Sequence, residues 1–379
     1  MNRINILVSI ISIINFIGCS QDKLFDSSFS TSIAVGNGPS KVSIADVNND
    51  SFNDIIVTTD KVLMVLLNDG KRNFTPAKGT PFPAGYGPAD IGQGDFNNDG
   101  NIDFAIPNHE RDEVTILLGN GEGVFQQAPY SHLTIDFNPH AHSVATGDIN
   151  NDGNTDLILT NFLGAEIITI TGDGKGYFPG KPIHISVPHY PYRNVIFVDI
   201  NSDGNNDIVT PANNSNAVTV LYGNGKGAFQ PANGSPFPIG DNPFFVIAGD
   251  FNGDKLIDIA ATNFDAGSLS VLPGNKSNDL SNSVIKSFKV GEKPVCLAKT
   301  DFNKDGITDL VCANYQSNNI SILLGNRNQI FYSDIQRINV GKSPYGVAIG
   351  DLNGDSNPDI VTANFEDASI TLLFNLKKD

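Results

Sequence analysis

The nonapeptide DFNNDGNID at residues 95–103 places oxygen-bearing side chains at positions 1, 3, 5 and 9: Asp95, Asn97, Asp99 and Asp103. Carboxylates crowded into one tight turn repel one another and hold raised pKa values unless a cation lies between them. Hard oxygen ligands on a flexible loop favour calcium over zinc or copper. Position 7 of such a loop supplies a backbone carbonyl, here that of Asn101, and the glycine at position 6, Gly100, permits the sharp turn. A single copy leaves a second reading open, because Asp, Asn and Gly also make ordinary turns through local hydrogen bonds.

The other copies weigh against the ordinary turn. The pattern recurs at Asp46, Asn48, Asp50, Phe52 and Asp54, and again at Asp148, Asn150, Asp152, Asn154 and Asp156. A fourth copy holds Asp199, Asn201, Asp203, Asn205 and Asp207; a fifth holds Asp250, Asn252, Asp254, Leu256 and Asp258. The last two hold Asp301, Asn303, Asp305, Ile307 and Asp309, then Asp351, Asn353, Asp355, Asn357 and Asp359. Asn stands at position 3 and Asp at 5 and 9 in all seven, where a mere turn would let Ser, Gly and Asn interchange. The expectation is up to seven bound calcium ions. Three loops carry Ser51, Lys255 or Ser356 in place of the position-6 glycine and are expected to bind more weakly or under strain.

Successive first aspartates lie 49, 53, 51, 51, 51 and 50 residues apart, a period that signals a propeller or another repeat array. Each loop follows a short segment with an apolar residue four positions ahead of it (Val42, Ile91, Val144, Val195, Val246, Leu297, Val347). A second apolar run comes after the loop, such as DLILTN or DIVTAN, and then a third with alternating β-branched residues, as in EVTILLGNG and NISILLGNR. A glycine-rich turn and an aromatic residue (Phe125, Phe178, Phe229) open a fourth. Four short strands per unit without helical periodicity describe a propeller blade, and seven units predict an all-β, seven-bladed β-propeller of four-stranded blades. The last unit stops after its third strand, while residues 28–40, SFSTSIAVGNGPS, read like a fourth strand and linker. The N-terminal strand is therefore expected to complete the last blade and close the ring, which hides sheet edges.

The motifs DFNNDGNIDFAI, VTILLGNGEGVF and GDINNDGNTDLILTN resemble the FG-GAP and VCBS repeat family, whose propellers occur in integrin α-subunit heads and in bacterial surface proteins. The resemblance covers residues 28–379. It implies calcium in the loops between first and second strands and ligand contact on the opposite face, without naming a ligand. Adhesins, lectins and polysaccharide lyases all use such folds, so function rests on the site.

Acidity follows from the loops. The chain of 379 residues has a net charge of −17, and 21 of its 41 acidic residues stand at loop positions 1, 5 and 9. Seven divalent cations would leave about −3. No basic stripe or nucleic-acid motif is present, and a monomer without nucleic-acid partners is expected. Residues 1–19, MNRINILVSIISIINFIGC, run from Arg3 through an apolar stretch to Gly18 and Cys19, the shape of a secretory signal. A small residue before cysteine resembles the bacterial lipoprotein signal, with Cys19 as the lipidated residue, although Phe16 stands where Leu is usual; a signal peptide cleaved nearby is the other reading. Either exports the protein, as a lipoprotein of the outer membrane or cell surface or as a periplasmic or secreted protein, with residues 20–27 as a short linker. Cys296 and Cys312 flank one loop as diagonal neighbours, open to a disulfide or to two buried thiols.

Departures from the repeat nominate a ligand face. Proline stands seven residues before the loop at Pro39, Pro88, Pro243, Pro294 and Pro344. The two exceptions are adjacent: NPHAHS, with His140 and His142, and PHYPYRN, with His189, Tyr190, Tyr192 and Arg193. Phe244 and Phe245 follow in the next linker, and His109 lies in a turn between second and third strands that opens on the same face. Aromatic and Arg groups of this kind suit protein or glycan recognition; packing of the interblade seam is the competing reading. Two or three converging imidazoles would instead suit a transition metal. Nucleophile-elbow, zinc-protease and phosphate-loop motifs are absent, so a noncatalytic binding or adhesion module is expected, with a carbohydrate-active enzyme or a structural scaffold as alternatives.

Overall fold

The computed structural model describes residues 23–135, 140–276, 280–327 and 329–377. Residues 1–19, expected to be a signal segment ending at Cys19, lie outside the described residues, and among those described no helix is long and apolar enough to cross a membrane.

Seven antiparallel sheets follow one another along the chain as blades I–VII. Blade VII shows the plan: Pro344–Gly350 pairs with Asp359–Asn364, which pairs with Ser369–Leu373. Its fourth strand is Thr31–Ala34, in register Thr31↔Leu372 to Ala34↔Ser369, so the N-terminal strand closes the ring as expected. Leu24 and Phe25, expected in a linker, are buried instead. The Phe25 ring meets Phe302 edge-on at 5.2 Å, and the Leu24 carbonyl accepts from the Leu376 amide. The two chain ends thus clasp each other beside the closing strand.

Fourth strands depart from the expected pattern. Phe125 and Phe229 begin strands, Phe125–Gln127 and Phe229–Pro231, but Phe178 does not: in blade III the fourth strand is Ile183–Ser186. The Phe178 side chain is buried against Phe96 of the preceding blade, so its aromatic serves the seam rather than the strand.

Apolar packing is divided among seven seams. Second strands are sandwiched in the ring, and alternate residues point to opposite faces. Ile56 packs with Phe104 and Leu117 of blade II, whereas Ile55 and Val57 pack with Val361 and Ile370 of blade VII. The same geometry explains the cysteines. Cys312 faces the seam between blades V and VI, Cys296 the seam between VI and VII, and both are buried free thiols. They are diagonal in register, Leu297↔Cys312 and Cys296↔Ala313, yet point to opposite sides of one sheet.

Candidate functional site

Antiparallel pairing puts the nonapeptide loops at one end of every blade, and the interblade linkers and turns between second and third strands at the other. The molecule therefore has a loop face and a linker face.

On the loop face the chain wraps around position 1. In the loop at 95–103, Asp95 accepts from the Asp99 and Gly100 amides at 3.1 and 2.8 Å, and Asp99 accepts from the Asn101 amide at 2.8 Å. The Asn97 and Asp99 side chains meet at 3.0 Å. Position 6 is left-handed whatever residue stands there: φ is 84° at Gly100, and 72°, 71° and 62° at Ser51, Lys255 and Ser356. Their amides still reach position 1, so these three loops keep the shape with an L-residue in a conformation that costs about 1–3 kcal/mol. Position 4 is left-handed too, as at Asn98, and its amide donates to Asn154 of the next loop at 3.0 Å.

Position 9 has a role that spacing did not reveal. Asp103 is fully buried as the first residue of a second strand, and its two oxygens accept from the Phe96 and Gly119 amides, both at 2.8 Å. All seven position-9 aspartates make this pair of contacts, pinning the loop to the end of the third strand. The hairpin glycine follows from it: a Cβ at Gly119 would sit 2.3 Å from the Ile102 carbonyl. Burial, with a smaller push from the carboxylates at positions 1 and 5, raises Asp103 to about 6 and Asp258 to about 7. Among the described residues, no three His, Cys, Asp or Glu side chains are set as a metal cluster. The loop's donors are mixed: carboxylates at 1 and 5, an amide at 3 and a backbone carbonyl at 7, beside a buried carboxylate whose oxygens keep further lone pairs. That all-oxygen set suits a hard cation such as calcium.

On the linker face two repeat positions build a funnel around the axis. The inner ring is the residue six before each loop: Ser40, Ala89, His142, Arg193, Phe244, Val295 and Tyr345. At the mouth stand the residues that follow the second strands, Asp60, His109, Phe162, Phe264, Tyr315 and Phe365, with Asn213 in the same register. These rings bound two clefts, of about 350 and 680 Å³, that share His109 and Arg193.

Blade IV breaks its first strand to place Arg193. Tyr190–Pro191 pairs with the second strand, the ladder lapses at 192–195, and Ile196–Val198 resumes it. Arg193 sits in the break at φ 54°, with its guanidinium 5.1, 5.8 and 6.0 Å from the ring centres of Tyr192, Phe244 and Tyr345. Buried Asn194 anchors the break by accepting from the Val246 amide at 2.8 Å.

His109, His140 and His142 converge as rings. His109 and His140 stack at 4.8 Å and 5°, and His142 lies 4.5 Å from His109 and 5.1 Å from Tyr192. Parallel stacking turns faces rather than nitrogens toward each other, which does not suit a shared metal. Burial and the neighbouring Arg193 charge push His142 down to about 2 and lower His109, so both are neutral near pH 7.

Other candidates fall outside this cluster. Tyr190 stands at the mouth against Phe162 at 5.4 Å, while His189 lines neither cleft. Phe245 lies beside the axis under Lys41, whose nitrogen is 4.7 Å from the ring centre. His132 and His184 are at the blade edges, paired with Glu113 and Glu166. The sequence reading missed Phe162, Phe264, Tyr315 and Phe365, although an aromatic follows the last Asn of the second strand in TNF, ANY and ANF, and it missed Tyr345, which has no such signal.

A family model described as FG-GAP-like repeat matches residues 46–106, 95–159, 148–210, 199–261 and 301–362. The chain belongs to the FG-GAP repeat family. No curated protein matches it. Among solved structures, this FG-GAP propeller is similar to BBS1N in its complex with ARL6DN (TM-score 0.64, 9% identity, 94% of this chain and 98% of that one). It is also similar to a catalytically inactive virginiamycin B lyase from Staphylococcus aureus with quinupristin (0.57, 16%, 91% and 99%). A third likeness is an Agrocybe aegerita lectin that recognises non-reducing terminal N-acetylglucosamine (0.56, 14%, 87% and 87%). Identities this low speak for the fold alone.

Proposed function

We propose that this FG-GAP propeller is an exported, calcium-binding, noncatalytic binding or adhesion module at the cell surface or in the periplasm, anchored through Cys19, that takes a protein or glycan ligand in the axial funnel. One observation carries the ligand face. The two blades whose linkers lack the proline deliver His140, His142, Tyr192 and Arg193 into a single cleft with His109, Phe162 and Phe244. Seam packing alone accounts poorly for them, because His142 is only 3% exposed and its Nδ1 has no hydrogen-bond partner there. Calcium is supported by the all-oxygen loops and by the left-handed position 6 that Ser51, Lys255 and Ser356 retain. Its role would be to hold the loop face so that blade ends, and with them the funnel, keep their geometry.

Glycan and peptide arrays probed with the calcium-loaded protein test the funnel. A triple variant, His142→Phe, Tyr192→Ala and Arg193→Gln, that melts as a folded protein should lose its array signal; retention of the signal rejects the funnel as the ligand face. A lyase is the second reading, favoured by the neutral, unpartnered His142 imidazole beside Tyr192 and Arg193, a set able to abstract a proton. Release of unsaturated oligosaccharides from a bound polysaccharide would replace the noncatalytic reading with this one.

A further inference from the structure

Given the funnel as ligand site, the charge and donor inventory inside it narrows the ligand. Arg193 is the cation common to both clefts, and among the described residues it has no carboxylate within ion-pair distance. Lys41 lies nearby on the axis, but Asp90 holds it at 3.2 Å, and Asp90 also accepts from the Ser143 hydroxyl at 2.5 Å. The floor therefore presents one uncompensated positive charge, on the planar fork that matches a carboxylate with two parallel hydrogen bonds. Buried Arg193 Nε has no partner within the protein. A phosphate dianion would need a second cation that this floor does not supply.

The walls then say what the carboxylate rides on. His142, buried and with Nδ1 unpartnered, lines the same cleft, as do the amides of Asn213 and Asn242. A purely apolar acid would leave the imidazole nitrogen desolvated and unpaired, which selects against it. A hydroxyl group on the ligand would satisfy the His142 nitrogen. The Asn213 amide already donates to Asn242 and the Asn242 amide to Asp265, so that their oxygens are what remain to accept, and Phe162, Phe244 and Phe264 offer apolar faces to a ring.

We propose that the funnel binds a carboxylated sugar, its carboxylate on the Arg193 guanidinium and its hydroxylated ring between His142, the Asn213–Asn242 pair and the aromatic mouth. The bound state is a monoanion on one cation in an otherwise neutral polar cup, so its affinity depends on the carboxylate and on the hydroxyls together.

Calorimetric titration of the calcium-loaded full chain with a short oligouronate, its methyl ester, the matching neutral oligosaccharide, benzoate and inorganic phosphate tests this. The oligouronate should bind, and the ester, the neutral oligosaccharide, benzoate and phosphate should each bind more weakly by about tenfold or more. Arg193→Gln should erase the preference for uronate over ester, and Arg193→Lys should restore it in part, in variants whose melting matches the parent. Equal binding of acid and ester overturns the carboxylate claim while leaving the funnel as a sugar site. Equal binding of benzoate overturns the sugar claim. Phosphate binding at the uronate's strength, uronate binding indifferent to Arg193, or no uronate binding at all also overturns the proposal. The funnel reading itself fails only if the triple variant keeps its array ligand.

Discussion

The two faces of the ring use repetition in opposite ways. On the loop face, positions 1, 3, 5 and 9 hold the same residue in all seven blades, and every copy donates its position-6 amide to position 1 and two backbone amides to position 9. On the linker face, equivalent places around the axis hold Ser40, Ala89, His142, Arg193, Phe244, Val295 and Tyr345. A demand made by each blade separately, a pinned turn or a cation, writes one answer seven times. A demand made once by the whole ring, a cavity for one ligand, writes a different residue at each place.

The strongest way to break this contrast is to remove the metal that the loops are proposed to share. Unfolding monitored in EDTA and then across a calcium titration should show a drop in melting temperature on the order of 10 °C or more, recovered by calcium better than by magnesium. Elemental analysis that finds no bound metal, together with an unchanged melt, would reduce all seven loops to pinned turns.

Within one loop the pin separates from the remaining ligands. Asp103→Asn keeps one accepting oxygen but turns the other into an NH2 donor facing a backbone amide, and should cost about 1–3 kcal/mol in EDTA as well as in calcium. Asp99→Asn should leave the EDTA melt unchanged and lower only the calcium-dependent gain. Equal losses for both substitutions in EDTA would show that position 9 has no separate structural role.

On the funnel face the expected effect is set by protonation. The folded protein holds His142 near 2, against an ordinary value of 6.5, and His109, His140 and Arg193 all face it. A group depressed on folding stabilises above its unfolded pKa, and that contribution is lost as pH falls below about 6.5. The loss by pH 5 is on the order of 2 kcal/mol. His142→Leu should flatten the stability curve between pH 7 and 5; a slope equal to the parent's would show that the imidazole is not held neutral by the fold.

The smallest effect compares loops with and without glycine. Lys255→Gly places the tolerant residue where φ is 71° and should stabilise by about 0.5–1 kcal/mol, with tighter calcium binding at that loop. A destabilised variant would show that Lys255 makes a contribution exceeding its backbone strain.

Much of this molecule was legible because its determinants are local. The loop spacing set blade number, strand order and the closing strand, since each blade needs only neighbours in sequence to form its hairpins. The missing prolines before Asp148 and Asp199 marked His142, Tyr192 and Arg193 for the same reason: a break in a local rule is visible without coordinates. Phe162 and Phe365 broke no rule, because other blades carry an aromatic at the same repeat position and its recurrence reads as part of the repeat, and Tyr345 carried no mark in its own blade. His189, two residues from Pro191, lay close in sequence and yet lines neither cleft, because the broken strand aims Arg193 inward while His189 remains in the turn before it.

The amino-acid sequence by itself determined the repeat, the oxygen donors and the ring, because turn chemistry and strand alternation act over a few residues and recur with a period. Tertiary structure alone decided that position 9 is a pin as well as a carboxylate, that Leu24 and Phe25 belong to the clasp, and that one guanidinium stands uncompensated on the axis. The clasp and the lone guanidinium depend on atoms brought together from distant parts of the chain, and the pin, though its partners lie seven and 16 residues away, depends on the hairpin closing so that both oxygens of a buried carboxylate meet backbone amides.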